Sequence, residues 1–275
     1  MKPTNNGSSL EALARSLRID ILKMIYEAQS GHPGGSFSAI DILTVLYRDF
    51  LRHDPKNPAW PDRDRFILSK GHAAPALYAI LAQFGYFPHE ELTTLRKIGS
   101  PLQGHPEKNR LPGVEASTGS LGQGISIGIG MALAGRLDGK DFRTYVLVGD
   151  GEINEGQIWE AALYAGAHHL DKLIVILDQN GFQLDGSLSE ILPIGPVAEK
   201  WQAFGWNVVK VNGHNMAEIS EAFKTARNTV GKPTLIIAAT IKGKGVSFME
   251  NNNEFHGAAP NKDQFAVAMK ELQNA

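Results

Sequence analysis

The sequence contains no cysteine among its 275 residues, which excludes a disulfide framework and a thiolate metal site. It has no apolar run of about 18 residues, so no transmembrane helix is expected. The N-terminal residues also lack the apolar core of a secretory signal. The formal net charge is only -2, which gives no reason to expect nucleic acid or an anionic membrane as partner. Together these absences favour a globular, cytoplasmic protein.

Glycine, by contrast, is abundant, with 29 residues. The glycines cluster in four segments, at 31–35, 113–135, 149–156 and 243–245. Because glycine has no side chain, it allows the backbone to approach a ligand or to adopt a positive φ angle. These four segments are therefore the first places to look for a binding site.

Hydrophobic periodicity predicts mostly helices in the first half of the chain. The expected elements are a helix over 9–29 that stops at Gly31, a helix after Ser38, a strand at Arg65 to Leu68 and a helix after Gly71. Residues 98–120 resemble a loop. Residues 121–137 are apolar with small residues on every side, which predicts a buried helix packed tightly through its glycines.

The second half alternates between continuous apolar runs and helical patterns. Strands are predicted at 144–148, 173–177, 206–211 and 235–241, and helices at 156–168, 197–204, 216–229 and 262–273. Such alternation predicts an α/β fold, with a mostly parallel sheet and helices on both faces. No linker is evident, so we expect a single domain over 1–275, whose final helix begins a linker or docks on a neighbour.

Polar residues follow two of the predicted strands. The strand at 144–148 runs into Gly149-Asp150-Gly151, and the next strand ends in Asp178-Gln179-Asn180. Either tripeptide alone is ordinary turn chemistry. Ligands of open α/β sheets bind at the carboxyl ends of strands, so neighbouring strands would bring Asp150 and Asn180 together. Carboxylate and amide oxygens are ligands that Mg²⁺ prefers, and the oxygens of a diphosphate can complete the shell.

The segments GDGEINEG and LDQN together resemble the thiamine-diphosphate motif, although Gln179 stands where that motif often has asparagine. The resemblance implies that the side chains of Asp150 and Asn180, with the backbone carbonyl of Phe182, bind Mg²⁺, with Ca²⁺ or Mn²⁺ as alternatives. It also implies that Gly151 and Asn180 contact the diphosphate. The expected fold is therefore the diphosphate-binding half of a thiamine-diphosphate enzyme.

Five of the nine histidines lie beside or near glycine in predicted loops: His32, His72, His105, His214 and His256. An imidazole can exchange hydrogen bonds with sugar hydroxyls and can carry protons near neutral pH. A single loop histidine is usually a solvated surface group. Five in this context indicate a function.

The strings SGHPGGSFSAIDIL, SKGHAAPALYA, GHPE, TGSLGQGISIGIGMALA, GDGEINEG and FHG, in this order, resemble the first part of transketolase. The resemblance covers roughly residues 10–260. Transketolases move a two-carbon ketol unit from a ketose phosphate to an aldose phosphate and use thiamine diphosphate as an electron sink.

The resemblance also implies roles for individual residues. Those implied to be catalytic are His32, His105, His256 and Glu155. Those implied to contact the cofactor are His72, Gly119, Ser120, Leu121, Asp150, Gly151, Asn180, Leu184, Ile241 and His256. In the family, the position of Glu155 belongs to a carboxylate network between subunits, although an acid at a helix N-terminus needs no special role. Lys242 and Lys244 reach phosphate or belong to a solvated loop.

Full-length transketolases continue into two further domains, the second of which supplies the glutamate that activates the aminopyrimidine ring. The resemblance therefore implies a separate C-terminal subunit carrying the pyrimidine-binding domain, in an α₂β₂ assembly that acts on sugar phosphates. We expect the chain to be inactive alone. The sugar substrates stay open, with the pentose phosphate pathway as the first expectation.

Other functions compete with this interpretation. The chain could belong to another split thiamine-diphosphate enzyme: a specialised sugar transketolase, a 2-oxoacid dehydrogenase component or a 1-deoxyxylulose-phosphate synthase. GSLGQGISIGIG resembles a dinucleotide fingerprint, but no convincing strand precedes it and the G-x-G-x-x-G spacing is absent. A regulatory or scaffold protein is the non-enzymatic alternative, and the set of Asp150, Asn180 and four matching histidines disfavours it.

Overall fold

A computed structural model describes residues 9–184 and 186–274. Its centre is a five-stranded sheet in the order β1-β2-β3-β5-β4, in which every neighbouring pair is parallel. The strands are β1 (Arg65–Leu68), β2 (Thr144–Gly149), β3 (Leu173–Gln179), β4 (Asn207–Asn212) and β5 (Thr234–Ala239). The predicted strands are confirmed, with shifts of one or two residues at some ends.

The helices surround the sheet. They are α1 (Leu10–Ala28), α2 (Pro33–Val45), α3 (Ala74–Gln83), α4 (Gln123–Leu137), α5 (Gly156–Ala167), α6 (Leu188–Ile191), α7 (Val197–Ala203), α8 (Met216–Asn228) and α9 (Lys262–Asn274). Shorter turns of 3₁₀ helix occupy Gly71–Ala73, His89–Thr94, Gly151–Asn154 and Asn253–His256, and a π-helical turn follows α2 at Leu46–Phe50.

The alternation of side chains along the strands builds a core on each face of the sheet. Tyr145 and Leu147 of β2 join one cluster with residues of α1, α2, α3, α8 and α9. Val146 and Val148 point the other way, into a cluster with residues of α4, α5 and α7. Because both faces of β2 are buried, its sequence is a continuous apolar run. The predicted α/β fold with helices on both faces is confirmed.

The prediction for the start of α2 was wrong. This helix begins at Pro33, not after Ser38, and all of its residues are buried. Proline suits the first position of a helix, where its missing N–H costs nothing. Gly34 lies within this helix, and a Cβ atom there would lie only 3.0 Å from the Phe255 carbonyl oxygen and from Lys242 Cγ. Gly34 therefore permits close packing against the chain around Lys242.

The prediction for α4 was only half right. Its glycines do pack closely, since a Cβ atom on Gly128 would lie 2.7 Å from Val146 Cγ2. The opposite side of the helix is exposed, however, and Leu137 has 87% of its surface accessible. Leu163 and Tyr164 of α5 are exposed as well. The predicted all-round burial failed because nothing in this chain covers that side within the described residues.

The last helix, α9, packs onto the first. Ala268 and Leu272 are buried against the core, and the rings of Phe265 and Tyr26 stack at 4.0 Å between centroids. This helix therefore docks on α1, and both expected roles, the start of a linker and a docking element, stay predictions. None of the helices in the described ranges is both long and apolar enough to cross a membrane.

Candidate active site

A cavity of about 610 Å³ opens at the carboxyl ends of β1, β2 and β3. Gly149 of β2 lies opposite Asp178 of β3 in the parallel register, so the segments that follow the two strands emerge side by side. The predicted adjacency of these strand ends is confirmed. Ligands of parallel sheets bind in this position.

Asp150, Asn180 and Phe182 all line this cavity. Asp150 is 2% exposed, and its carboxylate accepts a hydrogen bond from the Gly181 N–H. The Asn180 side-chain oxygen accepts the Phe182 N–H at 3.1 Å. The chain therefore turns tightly after β3 and brings the expected metal ligands beside Asp150.

The electrostatics of Asp150 fit a bound cation. The pKa of this carboxyl is raised to about 7, chiefly by burial and also by the charge of the nearby Asp178, against the lowering effect of the Gly181 N–H. No lysine, arginine or histidine of the described ranges forms an ion pair with Asp150. A divalent ion at this point would keep the carboxylate charged.

The oxygen donors available for a metal are few. In the part of the chain that the structure describes, no three histidine or acidic side chains come together as a metal site. The predicted set instead has one carboxylate, one amide oxygen and one backbone carbonyl. Mg²⁺ commonly keeps water and substrate phosphate oxygens in its shell, so such a small protein set suits it when a diphosphate is present.

A buried ion pair, which the sequence did not predict, lies beneath the cavity. Lys70 Nζ is 2.5 Å from Asp178 Oδ2, and the two side chains are 1% and 0% exposed. Ser38 donates to the same oxygen at 2.6 Å, and Thr240 donates to Asp178 Oδ1. Burial alone would raise the pKa of Asp178, but the charge and hydrogen bond of Lys70 hold it below its ordinary value. Lys70 closely follows β1, so the strand-end argument used for Asp150 could have found it.

A second carboxylate that the sequence analysis missed is Glu152, which is 2% exposed. It accepts hydrogen bonds from the backbone N–H groups of Gly149 and Gly122, each at 3.0 Å, and from the Ser69 hydroxyl. Glu152 thereby ties the end of β2 to the start of α4. Its position in GDGEINEG offered the only sequence signal.

Three of the predicted histidines form one cluster. The ring centroids of His32, His72 and His256 lie between 5.2 and 5.6 Å from one another. His72 and His256 line the cavity itself. The Nδ1 atom of His32 is buried and has no hydrogen-bond partner among the described residues. A buried polar atom without a partner is rare in folded proteins and suits a ligand contact.

These histidines are neutral imidazoles at physiological pH. Burial lowers the pKa of His32 to about 4 and that of His256 to about 3. The pKa of His72 falls well below its ordinary value, mainly through burial and also through the charge of Lys70. A neutral imidazole offers one donor and one acceptor, the combination that recognises a hydroxyl group.

His105 is exposed and is not one of the three rings of that cluster. Its ring rests on Gly119, whose φ is +141° and where a Cβ atom would lie only 2.8 Å from His105 Cδ2. Of the predicted segment 119–121, only Leu121 lines the cavity. The cofactor contacts of Gly119 and Ser120 and the catalytic role of His105 stay predictions.

The remaining predicted residues lie at different depths. Gly151 and Glu155 line the cavity. Glu155 also occupies the N-cap position of α5, although its side chain makes no capping hydrogen bond, so both interpretations of this acid stay open. Leu184 stands on the rim with 65% of its surface exposed. Ile241 does not line this cavity but a neighbouring cleft, together with His214. Its cofactor contact stays a prediction.

Of the two lysines in the glycine-rich loop, only one faces the cavity. Lys242 is 2% exposed and lines it, whereas Lys244 pairs with Glu250 at 3.1 Å beside the neighbouring cleft. Lys242 Nζ is 2.5 Å from the Asn253 side-chain oxygen and 2.9 Å from His256 Nδ1. Burial, followed by the charge of Lys70, lowers the pKa of Lys242 to about 8.

Comparison with known proteins matches residues 9–273 to the family model "Transketolase, thiamine diphosphate binding domain". The chain is 46% identical to the 6-deoxy-6-sulfo-D-fructose transketolase subunit SqwG of a Clostridium species, over 96% of each chain. It is 41% identical to one of the named subunits of the apulose-4-phosphate transketolase of Phocaeicola vulgatus, over 96% of this chain and 94% of that one. Among solved structures, the transketolase of Campylobacter jejuni superposes with a TM-score of 0.91 at 36% identity, over 96% of this chain and 42% of that one.

Proposed function

This chain belongs to the transketolase family, and from that premise we propose that it is the diphosphate-binding subunit of a two-chain transketolase. In this proposal it transfers a two-carbon ketol unit from a ketose to an aldose, with thiamine diphosphate and Mg²⁺ as cofactors. The observation that carries the proposal is the convergence of Asp150 and Asn180 on one cavity, next to a cluster of neutral histidines.

Asp150, Asn180 and the Phe182 carbonyl would hold the metal, and Gly151 would face the diphosphate. Thiamine diphosphate, when bound, would supply the electron sink for cleaving and forming the carbon–carbon bond. Lys242 adds a buried positive charge to the same wall, and among the described residues no carboxylate neutralises it. Its amino group is therefore available to a diphosphate oxygen.

The histidines would handle the sugar. His32 and His256 are neutral and lie 5.6 Å apart between ring centroids. Nδ1 of His256 already accepts from Lys242, so its Nε2–H is the group that can donate to a substrate hydroxyl. The unpartnered Nδ1 of His32 supports such a contact. In this proposal, His256 and His105 orient the substrate oxygens and move protons during the transfer.

The partner is a separate subunit that carries the pyrimidine-binding domain. Two relatives that match along nearly their whole length are named as transketolase subunits, which supports this assignment. The assembly that we propose is α₂β₂. The exposed apolar residues of α4 and α5 support an interface that covers this surface. An exposed apolar surface of this kind is typical of protein interfaces.

The substrate is a ketose with an anionic tail. The two relatives act, by their names, on 6-deoxy-6-sulfo-D-fructose and on apulose 4-phosphate, so phosphate and sulfonate are both candidate tails. A specialised sugar transketolase is therefore favoured over an enzyme of the pentose phosphate pathway. A 2-oxoacid dehydrogenase component has no comparable support.

Reconstitution tests the proposal. The purified chain is mixed with a candidate partner subunit, Mg²⁺ and thiamine diphosphate, and ketol transfer is followed with phosphorylated and sulfonated ketoses. We expect transfer only when both chains are present. Full activity of this chain alone, or no cofactor binding by the reconstituted pair, would refute the proposal.

A further inference from the structure

His214 is a glycine-flanked histidine that lies outside the candidate active site. It is found between β4 and α8, and its side chain is only 13% exposed. Its Nδ1 atom is 2.7 Å from Asp41 Oδ2, and its Nε2 atom is 2.8 Å from the backbone nitrogen of Ile241. Both ring nitrogens are therefore engaged, one by α2 and the other by the chain that follows β5.

These contacts fix the protonation of the ring. A backbone N–H can only donate, so Nε2 of His214 accepts from Ile241 and carries no hydrogen. The Nδ1 atom then carries the hydrogen and donates it to Asp41. Either the other tautomer or a second proton would break the bond to Ile241. The hydrogen bond of one ring nitrogen thus sets the state of the other.

Asp41 is itself held in place by an ion pair with Arg18. It is 3% exposed, and its Oδ2 atom is 2.6 Å from Arg18 Nη2, which also donates to the Phe37 carbonyl at 3.2 Å. Burial alone would raise the pKa of Asp41, but the hydrogen bond from His214 and the charge of Arg18 hold it below its ordinary value. Arg18 of α1 and Asp41 of α2 therefore form a charged anchor that orients the His214 ring.

On its other side, the ring contacts the chain segment that leads into the candidate active site. Ile241 directly precedes Lys242, whose amino group lines the cavity and lies 2.9 Å from His256 Nδ1. A second anchor follows immediately, where the Gly243 N–H donates to the Gly34 carbonyl at 3.0 Å. Lys242 is thus fixed from both sides, by His214 before it and by α2 after it.

We infer that His214 is a positioning residue, which, with Asp41 and Arg18 behind it, holds Lys242 and His256 in the geometry of the site. His214 does not line the cavity and acts only through the Ile241 backbone. The use of that geometry to bind a diphosphate and a sugar rests on the proposed function. The geometry itself can be measured in the cofactor-free chain.

The first test uses the unaltered protein. Nitrogen-15 NMR of the histidine rings should show His214 with a protonated Nδ1 and an unprotonated Nε2 at neutral pH. The Nε2–H tautomer, or a doubly protonated ring, would overturn the inference, because neither can accept the Ile241 N–H. This result does not depend on whether any variant folds.

The second test uses His214→Ala, His214→Gln and the control His53→Ala. His53 is also a partly buried ring with two hydrogen bonds, at 3.0 Å to the Tyr86 hydroxyl and 3.1 Å to the Tyr47 carbonyl, but it lies outside the cavity. We expect His214→Ala to speed hydrogen exchange of the Ile241 amide about tenfold and to shift the His256 ring signals. His214→Gln, which keeps a donor and an acceptor, should partly restore both, whereas His53→Ala should lower stability and change neither.

Cofactor affinity provides the third readout. In the complex with the partner subunit, His214→Ala should weaken binding of Mg²⁺–thiamine diphosphate about tenfold relative to His53→Ala. Unchanged Ile241 exchange and unchanged His256 signals in a folded His214→Ala chain would overturn the inference. If the unaltered complex binds no cofactor, the proposed function fails, while the exchange and ring signals still decide the role of His214.

Discussion

Burial has opposite effects on the charges of two groups of residues around the cavity, the Lys70–Asp178 pair and the histidine cluster. Under the strand ends, Lys70 and Asp178 are almost wholly buried, yet they keep their charges because each is the partner of the other. In the histidine cluster, no carboxylate is paired with His32, His72 or His256 among the described residues, and burial removes their charge. Low dielectric thus preserves charge where a partner is present and suppresses it where none is.

This difference suggests that the ion pair and the histidine cluster have different functions. The paired charges of Lys70 and Asp178 fix the position of the loops after β1 and β3. Each charge already has its partner, so neither needs a ligand. The neutral imidazoles keep hydrogen-bonding capacity, which the unpartnered Nδ1 of His32 makes most visible. We therefore expect changes beneath the strand ends to act on stability and changes in the histidine cluster to act on pH dependence and substrate binding.

The largest expected effect on stability comes from breaking the buried pair. Lys70→Met keeps the volume but leaves the Asp178 charge without its cation, which should lower the free energy of unfolding by about 3–5 kcal/mol. Denaturant titration followed by circular dichroism would measure this change. Lys224→Met, which removes an exposed lysine 3.2 Å from Glu221, is the control and should change the midpoint little. Equal losses for the two variants would show that the pair is not the base of the site.

The histidine cluster should make stability depend on pH. The pKa values of His32 and His256 in the folded chain, about 4 and about 3, lie below their ordinary value of 6.5. Between each of these folded-state pKa values and 6.5, the histidine binds a proton in the unfolded chain but not in the folded chain. The contribution of these two histidines to stability should therefore be complete above pH 6.5 and should be lost as the pH drops through 4 towards 3.

Thermal unfolding at a series of pH values checks this expectation. His256→Gln removes one of these groups, so its melting temperature should fall less steeply between pH 6.5 and 4. The exposed His168→Gln should follow the unaltered protein. An identical slope for His256→Gln and the unaltered chain would contradict a neutral buried cluster.

The smallest effect is expected at the rim of the cavity. Leu184 is 65% exposed and is linked to the loop that follows β5 through its backbone carbonyl, which accepts from Asn253 at 2.8 Å. Leu184→Ser should therefore change the free energy of unfolding by no more than about 0.5 kcal/mol. Leu177→Ala, at a fully buried position of β3, should cost about 2–5 kcal/mol in the same denaturation experiment. A comparable loss at Leu184 would mean that the rim is part of the core.

The sequence predicts the convergence of Asp150 and Asn180 much better than it predicts the two buried charged pairs. Asp150 and Asn180 could be brought together in advance because parallel strands end at one edge of the sheet, whatever the packing of the helices. The Lys70–Asp178 pair joins residues 108 positions apart, and the His214–Asp41 pair joins residues 173 apart. Neither pairing has a periodicity or a local motif. The Lys70–Asp178 pair depends on the order of the strands in the sheet, and the His214–Asp41 pair depends on how α2 packs beside the end of β4.

The two errors in the helices have a common cause. The predicted helix begins only after Ser38, but Gly34 is already helical and allows the backbone to approach Phe255. In α4, glycines on one side of the helix do pack against the sheet, and the apolar residues on the other side were assigned to the same core. Local composition identifies small and apolar residues but does not say which neighbour covers them.

The most direct measurement is the affinity of the reconstituted complex for thiamine diphosphate in the presence of Mg²⁺, determined by calorimetry for the unaltered chain and for Asp150→Asn. Asp150→Asn removes the only carboxylate of the expected metal site, so we predict a loss of affinity of about a hundredfold. Asp138→Asn, an exposed residue after α4, is the control and should bind as the unaltered chain does. Undiminished, Mg²⁺-dependent binding by Asp150→Asn would contradict the account.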